Sequence, residues 1–244
     1  MSAPLLAVEG LGKRFGGLVA LHDVGFEVAE GEIVGVMGAN GAGKTTLFSL
    51  IAGNARPTSG RIAFAGRRVQ GLSPDRVCRL GIARTFQIVK PFAGLTVREN
   101  LRTAALFGRL RLKHARDADR HAAPILEALG LAGDADRAAG TLTLSGQKRL
   151  EIARAVATGA RLLLLDEVMA GLTPPEVAQM LDTLRRIRRE RGLTLLVIEH
   201  VMRALMDLCA RIVVLHHGER IAIGTPAEIG RDARVLAVYL GAPA

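Results

Sequence analysis

The sequence IVGVMGANGAGKTTLFSLIAG, residues 33–53, decides the fold of this chain. Residues 33–37 form an unbroken apolar run typical of a buried strand, and residues 46–52 have the pattern of a helix that ends at Gly53. Between them, residues 38–45 fit the pattern G-x-x-x-x-G-K-[ST] in the strand-to-helix context that this pattern requires. The segment therefore predicts an α/β protein with a phosphate-binding loop.

The loop has residues suited to a nucleoside triphosphate. Its glycines let the backbone curl so that successive N–H groups point at phosphate oxygens, and the following helix adds the positive end of its dipole. We expect Lys44 to reach the β- and γ-phosphates and Thr45 to ligate Mg²⁺. The alternative is a glycine-rich turn without function, but a chance match is on the order of one in a few hundred for this composition. The residues expected to contact the nucleotide are Gly38, Ala39, Asn40, Gly41, Ala42, Gly43, Lys44, Thr45 and Thr46.

A second apolar run ends in two carboxylates. Residues 162–165 are four leucines, and Asp166 and Glu167 follow them. Both acids should lie at the carboxyl edge of a parallel sheet, where α/β proteins bind ligands. Asp166 suits the Mg²⁺ shell, and Glu167 suits orienting or deprotonating an attacking water. Acidic residues after a buried strand are common, so Asp166 and Glu167 indicate a nucleotide site only in combination with the phosphate loop.

Further segments extend the α/β prediction. Residues 195–198 and 212–215 are apolar runs that follow helical patterns, which indicates a mainly parallel sheet. Residues 5–8 and 61–64 predict an antiparallel sheet edge, and residues from about 88 to 140, rich in Ala, Leu and Arg, predict a helical lobe.

Two helix starts are marked by capping-box spacings. Thr96 precedes Glu99 and Thr173 precedes Glu176 by three residues, so each threonine should cap a helix that its glutamate supports.

Composition narrows the partners. The net charge of +10 favours anionic partners, but aromatic residues are only 3%, which leaves few platforms for stacking nucleic-acid bases. The densest arginine cluster, residues 185–191, is interleaved with apolar residues and predicts a solvated helix face.

Neither a long apolar run nor a leader-like start occurs, so we expect a cytoplasmic chain. Cys78 and Cys209 should be small buried side chains without a disulfide.

With these motifs in place, the sequence resembles the ATP-binding subunits of ABC transporters over nearly its whole length. RTFQ, residues 84–87, resembles the family's Q-loop, which implies that Gln87 senses Mg²⁺ and the lytic water and links to the membrane subunit. His200, directly after Glu199, resembles the switch histidine that contacts the γ-phosphate, and Phe15 stands where the family stacks an aromatic ring on adenine. The resemblance implies that Lys44, Gln87, Glu167 and His200 serve catalysis, with ATP and Mg²⁺ bound, and that Thr45, Gln87 and Asp166 serve the metal.

The signature segment can be aligned in two registers. LSGQ, residues 144–147, resembles the family's Leu-Ser-Gly-Gly-Gln with one glycine missing, whereas a gap-free alignment through residues 149–154 makes LTLSG, residues 142–146, the signature. A deletion at a helix start would rotate the rest of the helix by about 100°, so we favour the gap-free register. Thr143 then supplies the hydroxyl, with Ser145 as its rival. The residues that the resemblance places at the γ-phosphate of the opposite subunit are Thr143, Ser145, Gly146 and Gln147.

The resemblance also implies an architecture. We expect one nucleotide-binding domain over residues 1–244: a P-loop NTPase (RecA-like) core of about residues 1–87 and 155–244, with an N-terminal antiparallel β subdomain, and an inserted helical lobe of about residues 88–154. Val168 stands where the family usually has proline, and Thr173 where it usually has Asp or Asn. The resemblance therefore implies that communication between the two ATP sites of a dimer could differ in this protein.

Within the family, the resemblance is to the ATPases of importers for branched-chain amino acids, carried by residues 14–18, 84–87, 95–101, 150–154 and 239–241. It implies a second ATPase subunit, identical or homologous, two integral-membrane permease subunits, an extracytoplasmic solute-binding protein and no nucleic acid. The chain would then lie at the cytoplasmic face of the inner membrane. An exporter or lipopolysaccharide-extracting ATPase, or a non-transport ABC protein, remains the alternative.

Overall fold

A computed structural model describes residues 3–85 and 91–240, so Gln87 lies outside the described residues. In chain order the first elements are β1 (Leu6–Phe15), β2 (Leu18–Val28), β3 (Ile33–Met37), α1 (Lys44–Ile51), β4 (Ser59–Phe64), β5 (Arg67–Arg68), α2 (Pro74–Leu80) and β6 (Ile82–Arg84). The remaining elements are α3 (Val97–Phe107), α4 (Ala115–Ala128), α5 (Leu144–Ala157), β7 (Leu162–Asp166), α6 (Pro174–Arg191), β8 (Thr194–Ile198), α7 (Met202–Leu208), β9 (Arg211–His216), β10 (Glu219–Gly224), α8 (Pro226–Ile229) and α9 (Ala233–Leu240).

The chain divides into two compact units. The first comprises Met1–Pro74 and Thr194–Ala244, and the second comprises Asp75–Leu193. The predicted boundaries of core and helical lobe remain a prediction.

The first unit contains both kinds of β pairing that the sequence predicts. Strands β2, β1, β4 and β5 form an antiparallel sheet in that order, and β3 lies between β8 and β9 with parallel pairing to both. β10 pairs antiparallel with β9. β3 and β8 are buried at every position, as expected of parallel strands whose two faces are both covered.

In the second unit the chain is mainly helical. Helix α3 contacts both α4 and α5, and β6 pairs in parallel with β7. Short 3₁₀ turns at Ala132–Asp134 and Ala139–Thr141 connect α4 to α5. Helix α6 buries an apolar stripe that includes Leu181, Leu184 and Ile187, which leaves its arginines on the more exposed face.

Most of the predicted elements are confirmed with small shifts of their ends, but the first strand, expected at residues 5–8, continues to Phe15. Strands occur at residues 33–37, 162–166, 194–198 and 211–216, and the helix after the phosphate loop begins at Lys44. The antiparallel edge is confirmed too, because Leu6 pairs with Phe64 and Val8 with Ile62.

Both predicted capping boxes form. The Glu99 N–H donates to Thr96 Oγ1 at 3.1 Å, and the Thr96 N–H donates to Glu99 Oε2 at 2.8 Å. The Thr173 N–H likewise donates to Glu176 Oε2 at 2.8 Å.

The cysteine prediction is half right. Both thiols are free, and Cys209 is buried, which raises the pKa of its thiol to about 12. Cys78 was also expected to be buried, but it is only partly buried. It lies on α2, and among the described residues of that helix Val77 is the buried one. Among the described residues, no helix is long and apolar enough to cross a membrane.

Candidate nucleotide site

The phosphate loop folds around its own lysine. Lys44 is the first residue of α1 and is only 6% exposed. Its Nζ donates to the carbonyl oxygens of Gly38 at 2.6 Å and Ala39 at 3.0 Å, so the loop encloses the ammonium group. Thr45 follows on the exposed side of the first helical turn. An enclosed cation beside a helix N-terminus is the chemistry that binds phosphate.

Glycine is required at both ends of this loop. A Cβ on Gly38 would lie 2.5 Å from the Leu215 carbonyl oxygen. Gly43, the N-cap of α1, has φ 101, and a Cβ there would lie 2.6 Å from Leu21 Cδ2. The loop therefore lies close against neighbouring strands, and neither glycine can carry a side chain unless a neighbour moves.

A turn that the sequence analysis missed braces the same loop. The Gly218 N–H donates to the Ala42 carbonyl at 3.1 Å, and the Gly218 carbonyl accepts from the His22 N–H at 2.8 Å. Gly218 lies between β9 and β10 with φ 82. A glycine between two apolar runs signals a turn, but nothing in the sequence connects that turn to residues 38–45.

The first unit brings His200 to the edge where the phosphate loop begins. In the parallel pairing of β3 with β8, Val36 lies opposite Ile198, so Gly38 and His200 each follow the paired positions by two residues. His200 is exposed there, after the buried Glu199.

Phe15 lies at the end of β1, opposite Leu18, with 51% of its surface exposed. Lys13 Nζ lies 4.6 Å from the centroid of its ring. On strand β2, which begins at Leu18, Ala20 and Leu21 are the residues that a Cβ on Gly43 would meet. An exposed ring on the sheet that touches the loop suits a stacking role.

In the second unit, Asp166 is the last residue of β7 and is 2% exposed. Arg84 Nη2 donates to its Oδ2 at 2.7 Å, which pairs the buried charge. The strands are also joined by Thr85, whose N–H donates to the Leu164 carbonyl at 2.9 Å and whose Oγ1 accepts from the Asp166 N–H at 3.0 Å. From the sequence, Arg84 and Thr85 were noted only as neighbours of Gln87. The bond from Arg84 to Asp166 spans 82 residues, and nothing in the sequence predicts it.

Glu167 leaves the strand in a left-handed conformation with φ 51 and is 8% exposed. Its carbonyl accepts from the Ala170 N–H at 3.2 Å and from Lys148 Nζ at 2.8 Å. Lys148 was not among the predicted site residues.

The signature segment forms the start of α5. Thr143 is the N-cap, and its Oγ1 accepts from the Gly146 N–H at 3.2 Å. Ser145 and Gly146 are buried in the first turn, whereas Thr143 is exposed. Gln147 Nε2 donates to the Leu142 carbonyl at 3.1 Å. The exposed hydroxyl at a helix N-terminus is therefore that of Thr143, as in the gap-free register.

Two sequence profiles match the chain. One described as ABC transporter matches residues 21–170, and one described as branched-chain amino acid ATP-binding cassette transporter matches residues 219–244. The chain is 42% identical to the high-affinity branched-chain amino acid transport ATP-binding protein LivG of Salmonella typhimurium and 41% identical to BraF of Pseudomonas aeruginosa, over 99% of both chains in each case. It is 36% identical to the probable LivG of Archaeoglobus fulgidus, over 98% of this chain and 96% of that protein.

Solved structures agree with this grouping. A nucleotide-free ATP-binding cassette from an ABC transporter superposes with a TM-score of 0.89 at 28% identity, covering 98% of this chain and 100% of that one. An ATP-binding cassette in its ADP conformation gives a TM-score of 0.89 at 29% identity, covering 99% and 100%. The chain therefore belongs to the ABC transporter family, as one of its ATP-hydrolysing transport subunits.

Proposed function

We propose that this chain powers the import of branched-chain amino acids, or of related amides and acids, through partner membrane subunits. The support comes from the profile match at residues 219–244 and from full-length relatives at 36–42% identity whose names specify branched-chain amino acid transport. The solute itself would be recognised by a separate extracytoplasmic binding protein and by two integral-membrane permease subunits. The ATPase would work at the cytoplasmic face of the membrane.

The observation that carries the ATPase chemistry is the loop enclosing Lys44. Its N–H groups and the lysine bind the β- and γ-phosphates, and the exposed ring of Phe15 stacks on adenine. Glu167 orients or deprotonates the attacking water, and His200 positions the γ-phosphate. By the resemblance to the family, Gln87 would sense Mg²⁺ and the lytic water and link to the membrane subunit.

The residues present also suit Mg²⁺. Thr45 offers a hydroxyl and Asp166 a carboxylate, and both are hard oxygen donors of the kind that Mg²⁺ prefers. A nucleotide-bound Mg²⁺ needs few protein ligands, because waters and substrate phosphates complete its coordination. When bound, Mg²⁺ neutralises charge on the phosphates.

The exposed signature supports a shared site. We place the Thr143 hydroxyl and the N-terminus of α5, with Ser145, Gly146 and Gln147, at the γ-phosphate of ATP held by a second subunit. Two such chains, or one chain with a homologous ATPase, then enclose two ATP molecules head to tail. ATP favours the closed dimer, and hydrolysis lets it open.

The test is ATP turnover over a range of protein concentrations. We expect turnover to rise more than linearly with protein, and Glu167→Gln to abolish it while forming an ATP-stabilised dimer in light scattering. Glu190→Gln, the same change at an exposed position on α6, is the matched control and should behave as wild type. Turnover linear in protein would contradict the shared site.

The import assignment has its own test. The ATPase would be reconstituted with its membrane subunits and binding protein in vesicles, and leucine, isoleucine or valine should stimulate turnover where aspartate does not. Stimulation by a solute of another class would replace the assignment and leave the ATPase chemistry in place.

A further inference from the structure

The backbone at Glu167 is held in a conformation that its residue type disfavours. With φ 51, Glu167 is left-handed, a region in which a Cβ crowds the backbone. The direction of its carboxylate depends on that backbone angle, because the residue is the hinge between the end of β7 and the turn after it. Something must therefore keep the turn from relaxing.

A buried lysine holds this turn. Lys148 lies on α5 and is 3% exposed, and its Nζ donates to the Glu167 carbonyl at 2.8 Å. The Ala170 N–H reaches the same oxygen at a longer 3.2 Å. A hydrogen bond from a charged donor is stronger than one from an amide, so the lysine is the firmer of the two anchors.

A lysine is a costly choice for packing alone. Burying an ammonium group is unfavourable, and an apolar side chain of similar volume often serves stability as well or better. Its partner here is a backbone carbonyl, so the bond does not neutralise the buried charge. The loss of stability from burying the ammonium group is understandable if the backbone geometry of Glu167 matters more for function than stability does.

We propose that Lys148 is a positioning residue for hydrolysis: it fixes the left-handed turn of Glu167 and so the direction of the carboxylate that activates water. The inference rests on the proposed role of Glu167. Because α5 begins at the Thr143 cap, the same bond ties the signature helix to the catalytic turn within one chain.

The experiment compares steady-state ATP turnover and thermal unfolding for wild type and Lys148→Met. We expect kcat to fall by about 10- to 100-fold, the effect of a small misplacement of a reacting group, with KM for ATP within about twofold. The melting temperature should stay the same or rise. Lys148→Arg, which keeps a charged donor, should recover part of kcat, and Lys113→Met, the same change at an exposed site, should leave both quantities unchanged.

The possible failures are distinguishable. If Glu167→Gln abolishes turnover but Lys148→Met retains full kcat, the positioning role is wrong and the proposed ATPase stands. If kcat and melting temperature fall together, Lys148 is only structural and the inference is again overturned. If Glu167→Gln itself remains active, the role of Glu167 fails and the inference with it. Should Lys148→Met not fold, Lys148→Gln gives the same readouts.

Discussion

The phosphate loop and the Glu167 turn solve the same backbone problem in different ways. Gly43 and Glu167 both have left-handed backbones, with φ 101 and φ 51. At Gly43 the backbone itself is the binding surface, so the side chain is dispensable and glycine is used. At Glu167 the proposed chemistry requires a carboxylate, so the strained conformation is kept, and the buried Lys148 donates to the carbonyl of that residue. A site that binds through its backbone can be built from glycine, whereas one that reacts through a side chain needs support from elsewhere.

The largest combined effect on stability and ATP binding should come from adding a methyl group to the loop. In Gly43→Ala the Cβ would meet Leu21 Cδ2 at 2.6 Å in a left-handed backbone, so we expect a loss of about 2–5 kcal/mol in unfolding free energy and no detectable ATP binding. Gly41→Ala is the control, because Gly41 is also left-handed with φ 80 but has no atom within 4 Å of its ideal Cβ. It should cost about 1–2 kcal/mol. Urea unfolding measures the stability of the two variants, and nucleotide titration measures their ATP binding. Equal losses of unfolding free energy in Gly43→Ala and Gly41→Ala would refute the close packing of Gly43 against Leu21.

The two adjacent carboxylates should lose very different amounts of unfolding free energy when each is truncated to glycine. Asp166→Gly removes one partner of a buried ion pair and should cost about 3–5 kcal/mol in unfolding free energy. Glu167→Gly relieves a left-handed strain and adds chain entropy, so we expect a net change within about 1 kcal/mol despite the burial of Glu167. Denaturant unfolding of the two variants gives the comparison. A large loss for Glu167→Gly would mean that its turn is not strained.

A smaller effect should separate the two signature hydroxyls. Thr143→Ala removes the N-cap bond to the Gly146 N–H and should cost about 1 kcal/mol of stability. It should also weaken ATP-dependent dimerisation more than Ser145→Ala, because the Thr143 side chain is the exposed one. Light scattering with ATP decides between them, and a stronger effect of Ser145→Ala would favour the register at residues 144–147.

The sequence predicted those features that depend on residues close together in the chain. The run at residues 33–37 became β3 with the predicted ends, and Thr96 formed its capping box, because each depends on residues close together in the chain. Strand β2 was missed. Its exposed residues break the apolar pattern, and Asp23 has a left-handed backbone within it.

The long-range contacts of Asp166 and Glu167 had no signal in the sequence. Lys148 is 19 residues from Glu167, and Arg84 is 82 residues from Asp166. Each looks like an ordinary charged residue until the fold brings it to its partner. The motifs therefore predicted which residues could react, but not which residues hold them in place.

We infer a division of labour, in which the loop around Lys44 binds ATP and the turn at Glu167 drives its hydrolysis. The most direct test measures ATP affinity and single-turnover hydrolysis on the same preparation of Glu167→Gln. We predict a Kd within about threefold of wild type and a hydrolysis rate lower by about 10²- to 10⁴-fold, the range for loss of a general base. Hydrolysis at the wild-type rate, or a loss of affinity that accounts for the whole defect, would contradict this division of labour.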